Sequence, residues 1–206
     1  MTKSETIIKF TLYLDDMSEL STAEAEDLYD KIYSKISASR PWEGTKTAHT
    51  GTQSTSLSYI SLPTDFLYLT ANNNTTDGDL AGNPVIFVGS TYTPYKVVSW
   101  SDRRQYRDNA NVAWVDIPNS RLYFAKQPTA ADAVEYDYHR IMPELLTSES
   151  AWFPSSYHDI IYHGMCVDDF IIQQSDKAKS YQKEHEKQYQ SYMEMLAYWN
   201  AGLIQM

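Results

Sequence analysis

The sequence predicts an α+β fold: N- and C-terminal helices form a helical bundle, and a mostly antiparallel β region is inserted between them. Near both ends of the chain, apolar residues recur every three or four positions, which is the helical period. Between these ends, β-branched and aromatic residues stand in short runs separated by turn residues. These changes place a helical domain at residues 1–41 and 153–206 and an inserted β domain at residues 42–152.

Two helices are predicted in the N-terminal part of the chain. Residues 6–14 are apolar at helical spacing, and residues 21–38 carry apolar side chains every four positions. Ser21 and Glu24 have the spacing of a capping box, in which each side chain satisfies a free backbone amide at the helix start. The second helix must end before Pro41, because the residue that precedes proline avoids helical angles.

The β region contains short runs of strand-forming residues. Residues 117–121 have the composition of a tight hairpin turn, and residues 101–108 are expected to form one helical turn. Residues 72–79 are polar and are expected to form a solvated loop. The candidate strands are residues 56–62, 66–71, 85–88, 95–98, 112–117, 121–125 and 133–139.

Helical spacing returns from Ser155 or Ser156 to the C-terminus. The first helix of this part is apolar on most sides, so other elements or another subunit must cover it. A stripe of apolar and aromatic residues then continues to Trp199, and the sequence Asn-Ala-Gly at residues 200–202 predicts a helix stop, because glycine adopts left-handed angles readily. The tail beyond is apolar, which predicts contact with a partner or a return onto the chain's own helices. The candidate partner-interface residues are Tyr192, Trp199, Leu203, Ile204 and Met206.

Charge and hydropathy exclude several classes of protein. The formal net charge is −10, with 27 acidic and 17 basic residues, and the densest basic cluster is Arg103, Arg104 and Arg107. Tight nucleic-acid binding needs more clustered Lys and Arg and is not expected, whereas an acidic surface that DNA passes without specific binding is compatible with this charge. No apolar stretch reaches the roughly 20 residues that cross a bilayer, and no signal peptide is recognisable. A soluble chain with no membrane partner, made in the cytoplasm, is expected.

No catalytic, cofactor or metal site is expected. His158 and His163 are five residues apart, whereas two ligands on one helix face need a spacing of three or four. Asp168 and Asp169 are adjacent and point to different sides of a helix. Cys166 is the only cysteine and stands in an apolar run, where a buried thiol is usual. An enzyme whose site is assembled from distant residues remains an alternative.

The order of short motifs resembles tailed-bacteriophage head–tail adaptor, or connector, proteins. The first helices end in Arg40-Pro41-Trp42, and an extended stretch then leads to the sequence Leu-Pro-Thr-Asp-Phe at residues 62–66. Paired strands follow, and Trp-Phe-Pro at residues 152–154 precedes the C-terminal helices. The resemblance spans nearly the whole chain but rests on the order of short, degenerate motifs.

The resemblance implies a non-enzymatic structural protein of the virion. Such adaptors form a homo-oligomeric ring, commonly a dodecamer, that binds beneath the portal protein at the head–tail junction. The ring extends the DNA channel and gives the tail, or a tail-completion protein, its docking surface, and the C-terminal segment often reaches the portal. Two alternatives remain open: another neck or tail protein, such as a tail-completion or tail-tube protein, and a small module that binds a carbohydrate or peptide.

Overall fold

The structure is a computed structural model that describes residues 1–13, 20–71, 80, 82–168 and 176–204, without the side chains of residues 176–180, 203 and 204. The chain divides into two units. A helical unit comprises Met1–Thr45 and Met142–Met206, and a β unit comprises Lys46–Ile141. The loop expected at residues 72–79 and a possible helix break near residues 173–176 fall largely outside the described residues.

The two predicted N-terminal helices are confirmed. The Ser21 N–H donates to Glu24 Oε2 at 2.8 Å, and the Glu24 N–H donates to Ser21 Oγ at 3.3 Å, so the predicted capping box is formed. The Ser21 hydroxyl also donates to Glu24 Oε2, at 2.7 Å, and this bond together with that of the Ser21 N–H lowers the pKa of the Glu24 carboxyl. The helices described in this unit are α1 (Lys3–Tyr13), α2 (Thr22–Ala38), α3 (Asp159–Asp168) and α4 (Asp176–Ile204).

The core of the helical unit lies where α1, α2 and α4 meet α3. A Cβ atom at Gly164 of α3 would lie 2.6 Å from Ile32 Cγ2 and 3.0 Å from Tyr189 Cε2, which shows how closely α3 approaches α2 and α4. Large side chains that are almost completely buried fill this core: Phe10, Tyr29, Ile32, Tyr33, Ile36, Trp42, Ile160, Ile161 and Met165.

The β unit is built on one sheet of eight strands. All seven predicted strands are present, with shifted ends, and one further strand, β1, precedes them. The strands are β1 (Lys46–Thr52), β2 (Tyr59–Ser61), β3 (Phe66–Leu69), β4 (Val85–Val88), β5 (Thr93–Val98), β6 (Val112–Asp116), β7 (Arg121–Phe124) and β8 (Ala133–Arg140).

The sheet is mixed and nearly closed. Its order is β1-β8-β4-β5-β6-β7-β2, and β3 also pairs with β8. The β5–β6 pair is parallel, with Lys96 opposite Val112, and the other described pairs are antiparallel. The edge strands β1 and β2 approach each other, since a Cβ atom at Gly51 would lie 3.2 Å from Ile60 Cδ1. The predicted hairpin turn joins β6 to β7, with Ser120 at a φ of 51°.

The sheet encloses a second hydrophobic core. Leu122 and Phe124 of β7 point into it, and Val134, Tyr136 and Tyr138 of β8 face them. Alternate residues of each strand therefore fill the interior, while the residues between them lie on the outer face.

The expected fold class, a helical bundle with an inserted and mostly antiparallel β region, is wrong. The eight-stranded mixed sheet has its own core and is the dominant feature of the fold, while the helices lie towards the chain termini. Strand β1 was missed because Ala48 is its only apolar residue, so it shows no alternation. The parallel pairing was missed because β5 and β6 are joined by residues 99–111, which contain a short 3₁₀ turn and no predictable crossover helix.

Candidate functional site

Two of the candidate interface residues lie at the edge of the helical core. Tyr192 of α4 is half-buried, and its ring stacks on His163 of α3, with the ring centroids 5.6 Å apart. Trp199 is also half-buried and lies 6.4 Å from the ring of Tyr157. Both side chains therefore contact their own unit, and only their outer edges are available to a partner.

The C-terminal half of α4 exposes two apolar side chains that are not among the candidate interface residues of the sequence analysis. Tyr198 is 80% exposed and Met195 is 42% exposed. They lie three residues apart, so they share one face of the helix, next to the face that holds Tyr192 and Trp199. The helical stripe drew attention to the residues that pack inward. The signal for the outward face was an aromatic and an apolar residue one turn apart on the neighbouring face.

The predicted helix stop at residues 200–202 is wrong, because α4 continues to Ile204. Asn200 has a different role: its Oδ1 accepts the Glu43 N–H at 2.8 Å, and its Nδ2 donates to the Pro41 carbonyl at 3.4 Å. Asn200 is only 7% exposed, and these two hydrogen bonds connect α4 to the segment that follows α2. The backbones of Leu203 and Ile204 belong to α4, but their side chains and all of Met206 lie outside the described residues.

A histidine pair joins α3 to α4. The Nδ1 atoms of His163 and His185 lie 2.8 Å apart, so one of them carries the proton of a hydrogen bond to the other. Burial and the neighbouring His185 lower the pKa of His163 to about 4, while Asp159 acts in the opposite direction. Burial also lowers the pKa of His185. The pair is therefore neutral at pH 7 and serves as a hydrogen bond between two packed helices.

His158 uses both ring nitrogens in contacts with the backbone. Its Nε2 lies 2.8 Å from the Phe153 carbonyl oxygen, and its Nδ1 lies 2.7 Å from the Met1 carbonyl oxygen. It is 4% exposed. Among the residues that the structure describes, no group of three or more His, Cys, Asp or Glu side chains is arranged to hold a metal ion.

The β unit carries an exposed basic and aromatic loop between β5 and β6. Trp100 is 45% exposed, and the Arg103 guanidinium lies 3.8 Å from the centre of its ring. Arg103 also donates a hydrogen bond to the Trp100 carbonyl. Arg104 and Arg107 are exposed.

A row of aromatic rings crosses the outer face of β6, β7 and β2. Trp114 and Tyr123 stack with an interplanar angle of 13°, and Tyr59 lies 5.3 Å from Tyr123. The Arg121 guanidinium lies 4.1 Å from the centre of the Tyr59 ring. The rings are half-buried, so they form a rigid surface that is apolar with one cationic group.

A model of the SU10 adaptor protein family matches residues 1–203 of the chain. The chain belongs to this family. No curated protein matches the sequence.

Membership of the SU10 adaptor family makes the chain a bacteriophage head–tail adaptor and a component of the virion. The family implies a structural rather than a catalytic role, carried out through contacts with other virion components such as the portal and the tail. In the part of the adaptor that the structure describes, no helix is both long enough and apolar enough to span a bilayer.

Proposed function

We propose that this adaptor assembles into a homo-oligomeric ring, a dodecamer, beneath the portal protein at the head–tail junction. The ring extends the DNA channel and offers the docking surface for the tail or a tail-completion protein. The observation that carries the proposal is the family match, which spans residues 1–203 and thus includes both the helical and the β unit. It supports an adaptor over a tail-tube or tail-completion protein.

The portal contact is assigned to the C-terminal end of α4. The proposed contact residues are Tyr192, Trp199, Leu203, Ile204 and Met206, joined by the exposed Met195 and Tyr198. Aromatic and Met side chains are enriched at protein interfaces, and the aromatic rings bury much apolar area with little loss of conformational entropy. Tyr198, at 80% exposed, has little contact with its own chain and gains the most area from a partner.

DNA is proposed to pass through the ring without specific binding. The adaptor has a net charge of −10, and the described ion pairs all use lysine, mostly within the helical unit. An acidic channel repels the phosphate backbone and so prevents the packaged DNA from adhering during ejection.

A complementation experiment tests the proposal. A phage with a stop codon in this gene should produce DNA-filled heads that lack tails, and the purified adaptor added to those heads and free tails should restore infectious particles. The Tyr198→Glu variant should restore at least about tenfold fewer, because a charge would be buried in the portal contact. Tyr181→Glu, at the other end of α4 and 55% exposed, is the matched control and should restore normal numbers. Complete, tailed particles without this protein would overturn the proposal.

A further inference from the structure

The charges of this chain are distributed unevenly along the sequence. Residues 15–30 contain seven carboxylates and no Lys or Arg, which is most of the net charge of −10. The opposite extreme is the loop of residues 99–108, which holds three of the arginines within five positions. We name this loop the arginine loop. The acidic residues are Asp15, Asp16, Glu19, Glu24, Glu26, Asp27 and Asp30, of which the last four are described.

The arginine loop is held in one conformation by its own hydrogen bonds. Asp102 Oδ2 accepts from Ser99 Oγ at 2.7 Å, and the Asp102 N–H donates back to Ser99 Oγ at 3.3 Å. At the other end, the Asp108 N–H donates to the Ala125 carbonyl at 3.2 Å, which fixes the loop to the end of β7. A loop that is already ordered loses little entropy when it binds a partner.

The cations of the arginine loop are available to a partner. Arg103 is stacked on Trp100, whereas Arg104 and Arg107 are exposed and form no hydrogen bond or ion pair with any residue that the structure describes. Arginine and tryptophan are the residue types most enriched at the energetic centres of protein interfaces.

The composition of the loop favours a protein partner over nucleic acid. Its three arginines are offset by Asp102 and Asp108, which leaves a net charge of +1 (3 − 2). Binding to phosphates depends on the number of cations that replace counterions, and carboxylates among them weaken it. Mixed charges beside an exposed indole suit a carboxylate-bearing protein surface, where they also fix the register of the contact.

A carboxylate surface of this kind lies on α2 of the same chain. Glu24 and Asp27 are exposed and three residues apart on α2, and Glu26 is half-exposed between them. Asp30 is different, because it already pairs with Lys3 at 2.5 Å. A ring of identical subunits needs two different, complementary surfaces on each copy, so that the contact repeats head to tail until the ring closes.

We propose that the arginine loop of one copy binds the acidic N-terminal half of α2, around Glu26 and Asp27, of a second copy. The contact rests on the proposed ring and identifies one of its subunit interfaces. Arg104 and Arg107 supply the cations, and the indole of Trp100 supplies apolar area beside them.

A charge-swap experiment tests the contact. By light scattering, the loop variant Arg104→Glu/Arg107→Glu and the α2 variant Glu26→Lys/Asp27→Lys should each remain single chains without portal and fail to complete a ring on purified portal, while retaining the melting curve of the unchanged protein. An equal mixture of the two should assemble, because each then meets a neighbour of opposite charge in an alternating ring. If the α2 variant does not fold, Asp27→Lys alone replaces it. Lys183→Glu/Lys187→Glu, on the exposed side of α4, makes the same charge change as the loop variant and should assemble normally.

The possible results separate this contact from the ring itself. Normal assembly of both variants would overturn the contact and leave the proposed function intact, as would failure of the mixture to assemble. Loss of duplex DNA binding by the loop variant, with assembly undisturbed, would assign the loop to nucleic acid and overturn the contact. If the unchanged protein stays a single chain even with the portal, the proposed function fails and the contact fails with it.

Discussion

The indole rings of Trp42 and Trp152 pack together at the C-terminal end of α2. The Trp42 indole N–H donates to the Ile36 carbonyl at 2.7 Å, and the Trp152 indole N–H donates to Ser37 Oγ at 3.0 Å. The two ring centroids lie 5.7 Å apart. A Cβ atom at Gly44 would lie 2.3 Å from Trp152 Cε3, so the chain that leaves α2 passes directly over this ring. Each indole thus combines a large buried area with a satisfied hydrogen bond.

Trp42→Ala should reduce the stability of the helical unit by about 3–5 kcal/mol, because Trp42 is fully buried and its removal leaves a cavity and removes the indole hydrogen bond to the Ile36 carbonyl. Urea unfolding, followed by the helical circular dichroism signal, measures the change. Trp100→Ala removes the same side chain from an exposed site and should change stability by less than about 0.5 kcal/mol. Equal effects of the two substitutions would show that the burial of Trp42 is not what stabilises this unit.

The histidine pair predicts acid sensitivity. The pKa of His163 is lowered from its ordinary value to about 4, so below pH 6.5 the unfolded chain binds a proton that the folded protein does not. Stability should therefore be constant above about pH 7 and fall as the pH decreases from 6.5 towards 4. The loss is on the order of 1–2 kcal/mol, less than full burial would give, because water screens the partly exposed pair. Lys9 reinforces this direction, and Asp159 opposes it.

The His163→Gln variant, which can still hydrogen-bond to His185, should show a shallower decrease over the same pH range. The comparison uses melting temperatures of both proteins between pH 4 and pH 8. At pH 8 the two should differ little, which serves as the control for packing. A decrease of unchanged steepness in the variant would rule out His163 as its source.

At the scale of elements, α3 is the centre of the helical unit, and it contains a glycine where a side chain would not fit. Glycine normally weakens a helix by about 1 kcal/mol relative to alanine. At Gly164 this cost is offset, because Ile32 of α2 and Tyr189 of α4 occupy the space that a Cβ atom would need. Close approach of the three helices therefore depends on this position.

Gly164→Ala should destabilise the helical unit by about 1–3 kcal/mol, since overpacking outweighs the better helix propensity. Gly202→Ala in α4 is the matched control: nothing lies within 4 Å of its Cβ position, so the same change should leave stability equal or slightly higher. Thermal melting of the two variants measures both effects. A stabilised Gly164→Ala protein would mean that α3 packs less closely than described.

Truncation at the end of α4 should abolish portal binding without affecting folding. A chain that ends at Asn200 keeps the hydrogen bonds of Asn200 to Glu43 and Pro41. Of the described residues that it loses, Ala201 and Gly202 are exposed, and nothing lies within 4 Å of the Gly202 Cβ position. It should melt like the full chain but fail to bind purified portal in a sedimentation assay. A lower melting temperature would indicate that the tail folds back onto its own helices. No change in either property would contradict both interpretations of the tail.

Sequence patterns predicted the helices, strands and turns better than the way in which these elements pair and pack. The capping box of Ser21 and Glu24 could be predicted because its signal is local, and the hairpin between β6 and β7 was predicted from its turn residues. Strand β1 was not, because its conformation comes from pairing with β8 rather than from its own residues. A helix stop was predicted at residues 200–202, and the buried position of Asn200 was not foreseen, because its hydrogen-bond partners Glu43 and Pro41 are distant in sequence.

The candidate interface residues show the same limit of prediction from sequence patterns. A helical stripe identifies residues on one face, but it does not say whether that face is turned towards the chain's own core. Tyr192 and Trp199 are on the packed side of α4, and Tyr198 is on the open side. The exposed Trp100 with Arg103 depends on the fold of a loop, so the sequence showed only a small basic cluster there.

At the scale of the whole molecule, assembly must overcome repulsion between like charges. A dodecameric ring of this adaptor would carry a formal charge of about −120 (12 × −10). Such a ring stays together only if its interfaces place opposite charges and apolar area against each other, which the arginine loop and α2 can supply between copies. In the proposed ring, the same surplus of carboxylates would make the channel for DNA acidic.

The most direct test of the ring is an electron cryomicroscopy reconstruction of the purified adaptor bound to its portal. We expect a closed ring of twelve adaptor copies beneath the portal, with more Asp and Glu than Lys and Arg on the channel wall, and with the end of α4 at the portal. A chain located in the tail tube, an open or monomeric arrangement on the portal, or a channel lined by Lys and Arg would contradict it.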